Sequence, residues 1–174
     1  MKETLRYLIG YLLGFTIFLV AIPYVLYELA DLEGLFSGHQ LFHSPLVRYL
    51  LFYTVLLVGV LFMTWSNLFL SRVGKGGPAD GFGIAVSPRT KKLVTSGPYR
   101  YSRNPMVFGA FSLYFSEALF QNSVNLLLAL LVFLILAICY LKITEERRLL
   151  KDFGEEYLVY KQQVPMIFPN LTGK

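Results

Sequence analysis

Residues Tyr49 to Ser71 read YLLFYTVLLVGVLFMTWSNLFLS, 23 residues without a charge between Arg48 and Arg72. About 20 apolar residues cross the hydrocarbon core as a helix, because in lipid every backbone donor and acceptor must be met within its own segment. This stretch predicts a membrane-spanning helix. A second window, Tyr7 to Tyr27, holds 21 uncharged residues between Arg6 and Glu28. It is too long and too aromatic for a signal-peptide core, and no small-residue cleavage site follows it. Pro23 falls near its end, where a kink disturbs little.

Further along, Asn104 to Leu141 is 38 residues with one charge, Glu117. The polar break Gln121-Asn122-Ser123 divides it into two expected helices in a tight hairpin, about Met106 to Phe120 and Val124 to Leu141. The first, at about 15 residues, is roughly 22 Å long. That is short for a full span, so a re-entrant helix competes with a fourth crossing. The expectation is an all-α, polytopic membrane protein with four transmembrane helices. Residues 1–71 carry the first two spans and a short outer loop. Residues 72–174 carry a cytoplasmic loop, the helical hairpin and an amphipathic C-terminal helix.

Composition agrees. Hydrophobic residues make up 55% of the 174, charged residues 16%, and the mean hydropathy is +0.54. Soluble domains carry about 25% charged residues. That deficit, with 15 Phe and 12 Tyr, argues against a soluble globule and against disorder. The single cysteine, Cys139, excludes an intrachain disulfide and a multi-cysteine metal site; as a small apolar residue it is expected to pack.

The basic residues set an orientation. Fifteen of the 16 lysines and arginines fall before the first span, between the second and third helices, or after the fourth; Arg48 is the exception. The positive-inside rule places both termini in the cytoplasm. It also accounts for the net charge of +5 without nucleic acid as a partner.

Two cytoplasmic pieces hold most of the chemistry. The first begins with Gly74, Gly76 and Gly77, which let a backbone approach a ligand or simply leave a helix. It ends in Gly97-Pro98-Tyr99-Arg100-Tyr101-Ser102-Arg103-Asn104-Pro105-Met106, a turn running into a helix whose first position suits Pro105. Arg103 thus lies at headgroup depth, either a snorkelling anchor or a fixed cation for an anionic group. In the second piece Leu149, Phe153, Tyr157 and Tyr160 recur at helical spacing, with Gly154 a potential interruption. Glu145 and Glu146, where the last span leaves the membrane, either bridge to Lys142, Arg147 or Arg148, or receive a ligand's ammonium or ribose hydroxyls.

Leu93, Val94, Gly97, Tyr99, Arg103, Asn104, Pro105 and Met106 form one block. Glu145, Glu146, Leu149, Phe153, Gly154, Tyr157, Tyr160, Val164 and Pro165 form another. Together, in this order around a hydrophobic hairpin, they resemble the isoprenylcysteine carboxyl methyltransferase and phospholipid methyltransferase families of integral membrane methyltransferases, over about Arg72 to Pro169. Gly74-Lys75-Gly76 resembles the Gly-x-Gly of the phospholipid branch. The resemblance implies S-adenosylmethionine as cofactor, beside Gly74, Gly76, Lys92, Leu93, Val94, Tyr99, Asn104, Pro105, Met106, Val107 and Glu145. It implies a lipophilic acceptor drawn from the membrane lipids. Arg103, Glu146 and Tyr99 are the candidate catalytic residues; Tyr99, Tyr101 and the glutamates are the nearby groups able to move a proton. Asn104 replaces the histidine of the prenylcysteine enzymes, Val107 a common tyrosine. Leu141 stands where those enzymes place an arginine associated with the substrate carboxylate, which turns the expectation away from prenylcysteine.

Two other classes are weighed. A membrane reductase using NADPH is one, by analogy with sterol reductases; their tails are richer in histidine, cysteine and tryptophan, and this tail has none. A non-catalytic lipid-binding protein is the other. His39 and His43 lack the further ligands a metal needs. Glu117 is a functional candidate as an ionisable residue in an apolar helix, or an interfacial residue near the outer turn.

Overall fold

The computed structural model describes residues 2–30, 39–75, 80–81, 84–85 and 90–171. The chain begins with α1 (Lys2–Phe15), a π-helical segment Thr16–Ala21 and α2 (Ile22–Ala30), which run on as one rod. Then come α3 (Pro45–Arg72), α4 (Pro105–Gln121), α5 (Val124–Tyr140), a second π segment Leu141–Glu145 and α6 (Glu146–Gln163). Between α3 and α4, β1 (Asp80–Gly81) pairs antiparallel with β2 (Ile84–Ala85), Asp80 opposite Ala85 and Gly81 opposite Ile84. Two residue pairs leave the helical architecture unaltered.

Among the described residues, three helices are long and apolar enough to cross a membrane: Leu8–Leu29, Pro45–Arg72 and Val124–Gln163. The apolar part of the last is α5, since α6 carries charges along its length. The most apolar stretches of the first two are only 6% buried within the protein. Leu50, Leu57 and Leu61 on α3, and Val132, Ile135 and Leu136 on α5, present side chains outward. In lipid such faces are solvated.

The element ends follow local rules. Ser44 and Ser123 precede α3 and α5, and the Ser123 hydroxyl accepts from Leu126 N at 3.2 Å. Pro45 and Pro105 open their helices, where a missing N–H costs nothing. The expected break at Gln121-Asn122-Ser123 is present. Asn122 ends α4 in the left-handed conformation, φ 57°. Its side-chain amide donates to Phe42 O and its carbonyl accepts from Phe42 N, both at 2.9 Å. That exchange fastens the segment before α3 to the α4–α5 turn.

α4 is the inner helix. It has 17 residues, about 25 Å of rise, and packs most extensively on α3, with further contacts to α2 and α5. Gly59 of α3 and Gly109 of α4 meet at that crossing. A Cβ on Gly59 would lie 2.9 Å from Leu113 N, and one on Gly109 2.7 Å from Met63 N. Small residues at membrane helix crossings let the backbones close in and gain dispersion contact. Ala110, Phe111, Tyr114 and Ala118 of α4 join Leu126, Leu130 and Leu134 of α5 and Leu26 of α2 in the core.

α6 bends at Gly154, which sits at φ 53°, ψ −126°, outside helical space. The chain beyond it folds back on the start of α4. Arg103 N donates to Pro165 O at 2.9 Å, Asn104 N to Met166 O at 3.0 Å, and Asn170 N to Tyr101 O at 2.9 Å. Ile167 is buried in the core.

Candidate active site

A cavity of about 490 Å³ lies where α1 runs into its π segment, α3 ends, α4 begins and α5 ends. Small-molecule sites measure roughly 300–1,000 Å³. Its lining changes character with depth. Thr90, Tyr99, Arg103, Asn104, Glu145 and Arg148 come from the loop and the helix ends. Met63, Ala110, Phe111, Tyr114 and Phe133 come from two to three turns further in. Both π segments border it, through Phe18 and Leu19 in the first and Leu141 and Glu145 in the second. A π turn widens a helix locally and recurs at functional sites.

The polar rim is held from behind. Gly97 takes φ +60°, and a Cβ there would collide with the Phe69 ring, so glycine alone lets this turn lie flat on α3. Pro98 and Tyr99 are buried beside it, and the Tyr160 hydroxyl donates to Tyr99 O at 2.6 Å. Gly74 is a second close approach: a Cβ there would be 2.8 Å from Leu70 O and 3.0 Å from Val94 Cγ2. Its carbonyl accepts from Lys91 N at 3.0 Å. Gly74 therefore seats the strand of chain that carries Leu93 and Val94, rather than facing the cavity itself.

Arg103 lines the cavity but is extensively bonded. Its guanidinium donates to Glu146 Oε1, to the Tyr157 hydroxyl at 3.0 Å and to Val164 O at 2.9 Å. Glu146 also accepts from Lys161 Nζ at 2.6 Å. The Arg103 and Glu146 side chains are 8% and 10% exposed, a buried pair tying α4 to both ends of α6. Asn104 spends its side-chain amide on Met166 O at 3.0 Å.

At the opposite rim, Arg148 Nη2 donates to Glu145 Oε2 at 2.6 Å, and both side chains border the cavity. Burial pushes the Tyr99 phenol above its ordinary value, so it stays a neutral hydroxyl at physiological pH. On α3, the Asn67 amide donates to Met63 O at 3.1 Å, which fixes its orientation, and its Oδ1 is buried with no hydrogen-bond partner among the described residues.

The structure thus gathers Leu93, Val94, Tyr99, Arg103, Asn104, Pro105, Met106, Val107 and Glu145 around one cavity. Gly74 supports it from outside, and Lys92 is exposed and not part of the wall. Glu146 stands behind the wall, because Arg103 and Lys161 engage both its oxygens. Gly76 lies outside the described residues. The sequence analysis named Arg148 only as a salt-bridge partner, a pairing to Glu145 that the structure contains, and left Asn67, Tyr140 and the first helix out of the site. Arg148 had a legible signal, since positions 145, 148, 149 and 153 share one helical face. Asn67 and the aromatic residues of α1 resemble any other membrane-helix residue until the neighbours are in place.

Helices with lipid-facing flanks around a partly polar cavity define an integral membrane protein with a small-molecule site at one end of its bundle. Residues 47–156, well over half of the chain, match the phospholipid methyltransferase family, and the chain belongs to that family. It is a membrane methyltransferase. No curated protein and no solved structure matches it.

Proposed function

We propose that the protein transfers the methyl group of S-adenosylmethionine to a lipophilic acceptor held in the bilayer, a phospholipid amine or a lipid-linked carboxylate or thiol. The observation that carries this reading is the Glu145–Arg148 pair on the rim of a cavity whose inner walls are apolar. The cofactor's amino-acid end has an ammonium and a carboxylate. Glu145 can receive the first and Arg148 the second as charge-assisted hydrogen bonds. The orphaned Asn67 Oδ1 and the Tyr99 hydroxyl suit its remaining polar groups. When bound, S-adenosylmethionine supplies an electrophilic methyl on a sulfonium. The protein's own task is then to align the reactants and keep water out. Phe111, Phe133 and Val107 exclude water. Arg103, held by Glu146 and Tyr157, keeps the start of α4 in place.

In this reading α4 is a fourth crossing, short because its neighbours surround it, and the cavity opens to the cytoplasm with both termini on that side. Membrane lipids are the partners and the source of the acceptor. The test is calorimetry in detergent micelles. S-adenosylmethionine binds and NADPH does not; Glu145→Ala and Arg148→Ala each cost about 2–5 kcal/mol of affinity. Wild-type affinity in both folded variants overturns the assignment. Membranes given methyl-labelled cofactor then carry label in extractable lipid.

A further inference from the structure

We propose that the first helix forms the subsite for one hydrocarbon chain of a bilayer phospholipid, with Gly14 setting the width of that subsite. Tyr11, Gly14, Phe15, Phe18 and Leu19 all border the cavity. All five lie outside residues 47–156, the part that matches the family. α2, the later part of the rod, touches α4 and α5, whereas α1 has the cavity between itself and the bundle. The Tyr114 hydroxyl donates to Phe18 O at 3.0 Å and pins the rod at its π segment, just where packing gives way to open space.

At Gly14 a Cβ would meet nothing within 4 Å among the described residues, although the residue is on the cavity wall. Glycine inside a helix costs stability relative to alanine, and here no close backbone approach calls for it, in contrast to Gly59 and Gly109. What the missing side chain leaves is room. The occupant is a hydrocarbon chain because the surrounding side chains are apolar and Phe15, Phe18 and Leu19 also present 58%, 43% and 42% of their surface outward. A chain can pass from the bilayer along these rings to Phe111, which is 6% exposed. The proposal rests on the methyltransferase reading for the identity of the lipid's role, not for its binding.

The experiment uses the full chain in dioleoylphosphatidylcholine vesicles containing a phosphatidylethanolamine with a diazirine near the end of one acyl chain. After irradiation, peptide mapping should find label at Phe111 and Met106 as well as on the outward residues Val132 and Ile135. Gly14→Leu should lower the inner label severalfold and Gly14→Trp at least tenfold, with the label at Val132 and Ile135 constant as an internal reference for folding and insertion. Inner label absent in the wild type, or unchanged in both variants, overturns the proposal. Calorimetry with S-adenosylmethionine runs in parallel on the wild type, where binding is expected. Loss of cofactor binding in the wild type would sink the methyltransferase reading and leave the chain subsite standing.

Discussion

Arg103 shows how one side chain changes meaning once its neighbours are known. From sequence it was an anchor or a ligand clamp; in the fold it is the knot that joins α4, Glu146, Tyr157 and Val164. Lysine keeps the charge but cannot reproduce a planar fork aimed at three acceptors. Arg103→Lys is expected to lower stability by about 2–4 kcal/mol, from buried hydrogen bonds to a charged group, and to lower activity through that loss. Arg100→Lys, on an exposed side chain, should stay within about 0.5 kcal/mol. Thermal unfolding in micelles checks both; equal stability of the two variants would leave Arg103 without its structural role. Tyr99 gives a pH signature. Its folded pKa is raised by burial, so its contribution is complete below the ordinary value near 10 and is lost as pH rises beyond it, where the unfolded chain ionises first. Wild type minus Tyr99→Phe should therefore be flat between about pH 7 and 9 and fall above about 10; a flat difference up to pH 11 would refute the burial.

Among the elements, α6 and the α3–α4 crossing carry the sharpest requirements. Gly154 lies at φ 53°, ψ −126°, and open space around its Cβ does not relieve the backbone cost for any other residue. Gly154→Ala should cost about 1–3 kcal/mol and straighten α6, pulling Tyr157 and Lys161 away from the Arg103–Glu146 pair. Gly109→Leu is a different failure: the new side chain meets Met63 N, so the two helices must separate. Overpacking of this kind costs about 1–3 kcal/mol or more. Size-exclusion profiles and unfolding midpoints in micelles measure both, and a silent Gly109→Leu would mean that α3 and α4 do not cross there.

For the molecule as a whole, the distribution of lysine and arginine bears on topology. A reporter fused after Lys174 is expected to read cytoplasmic, and one inserted between Glu28 and Pro45 to read external. An external C-terminus would reverse the cavity's orientation and deny a soluble cofactor access from the cytoplasm. The family match begins within α3 and ends within α6, so the first rod lies outside it.

Spans, hairpin break and the two motif blocks were legible because each depends on short-range physics. A charge-free run has one stable state in lipid, Asn122 and Ser123 end one helix and start the next, and Gly97-Pro98 marks a turn whatever surrounds it. The bend at Gly154 was legible as a possibility for the same reason. Which polar residues face the ligand was decided by the tertiary structure. Glu145 and Glu146 are adjacent and chemically alike, yet one borders the cavity and the other is taken by Arg103 and Lys161. Those partners lie 43 and 15 residues away, and no local pattern encodes the meeting. The same holds for Gly14 and Gly59, both glycines in membrane helices. One faces open space and the other a neighbouring backbone, a distinction that exists only once α1 stands off from the bundle and α3 closes on α4.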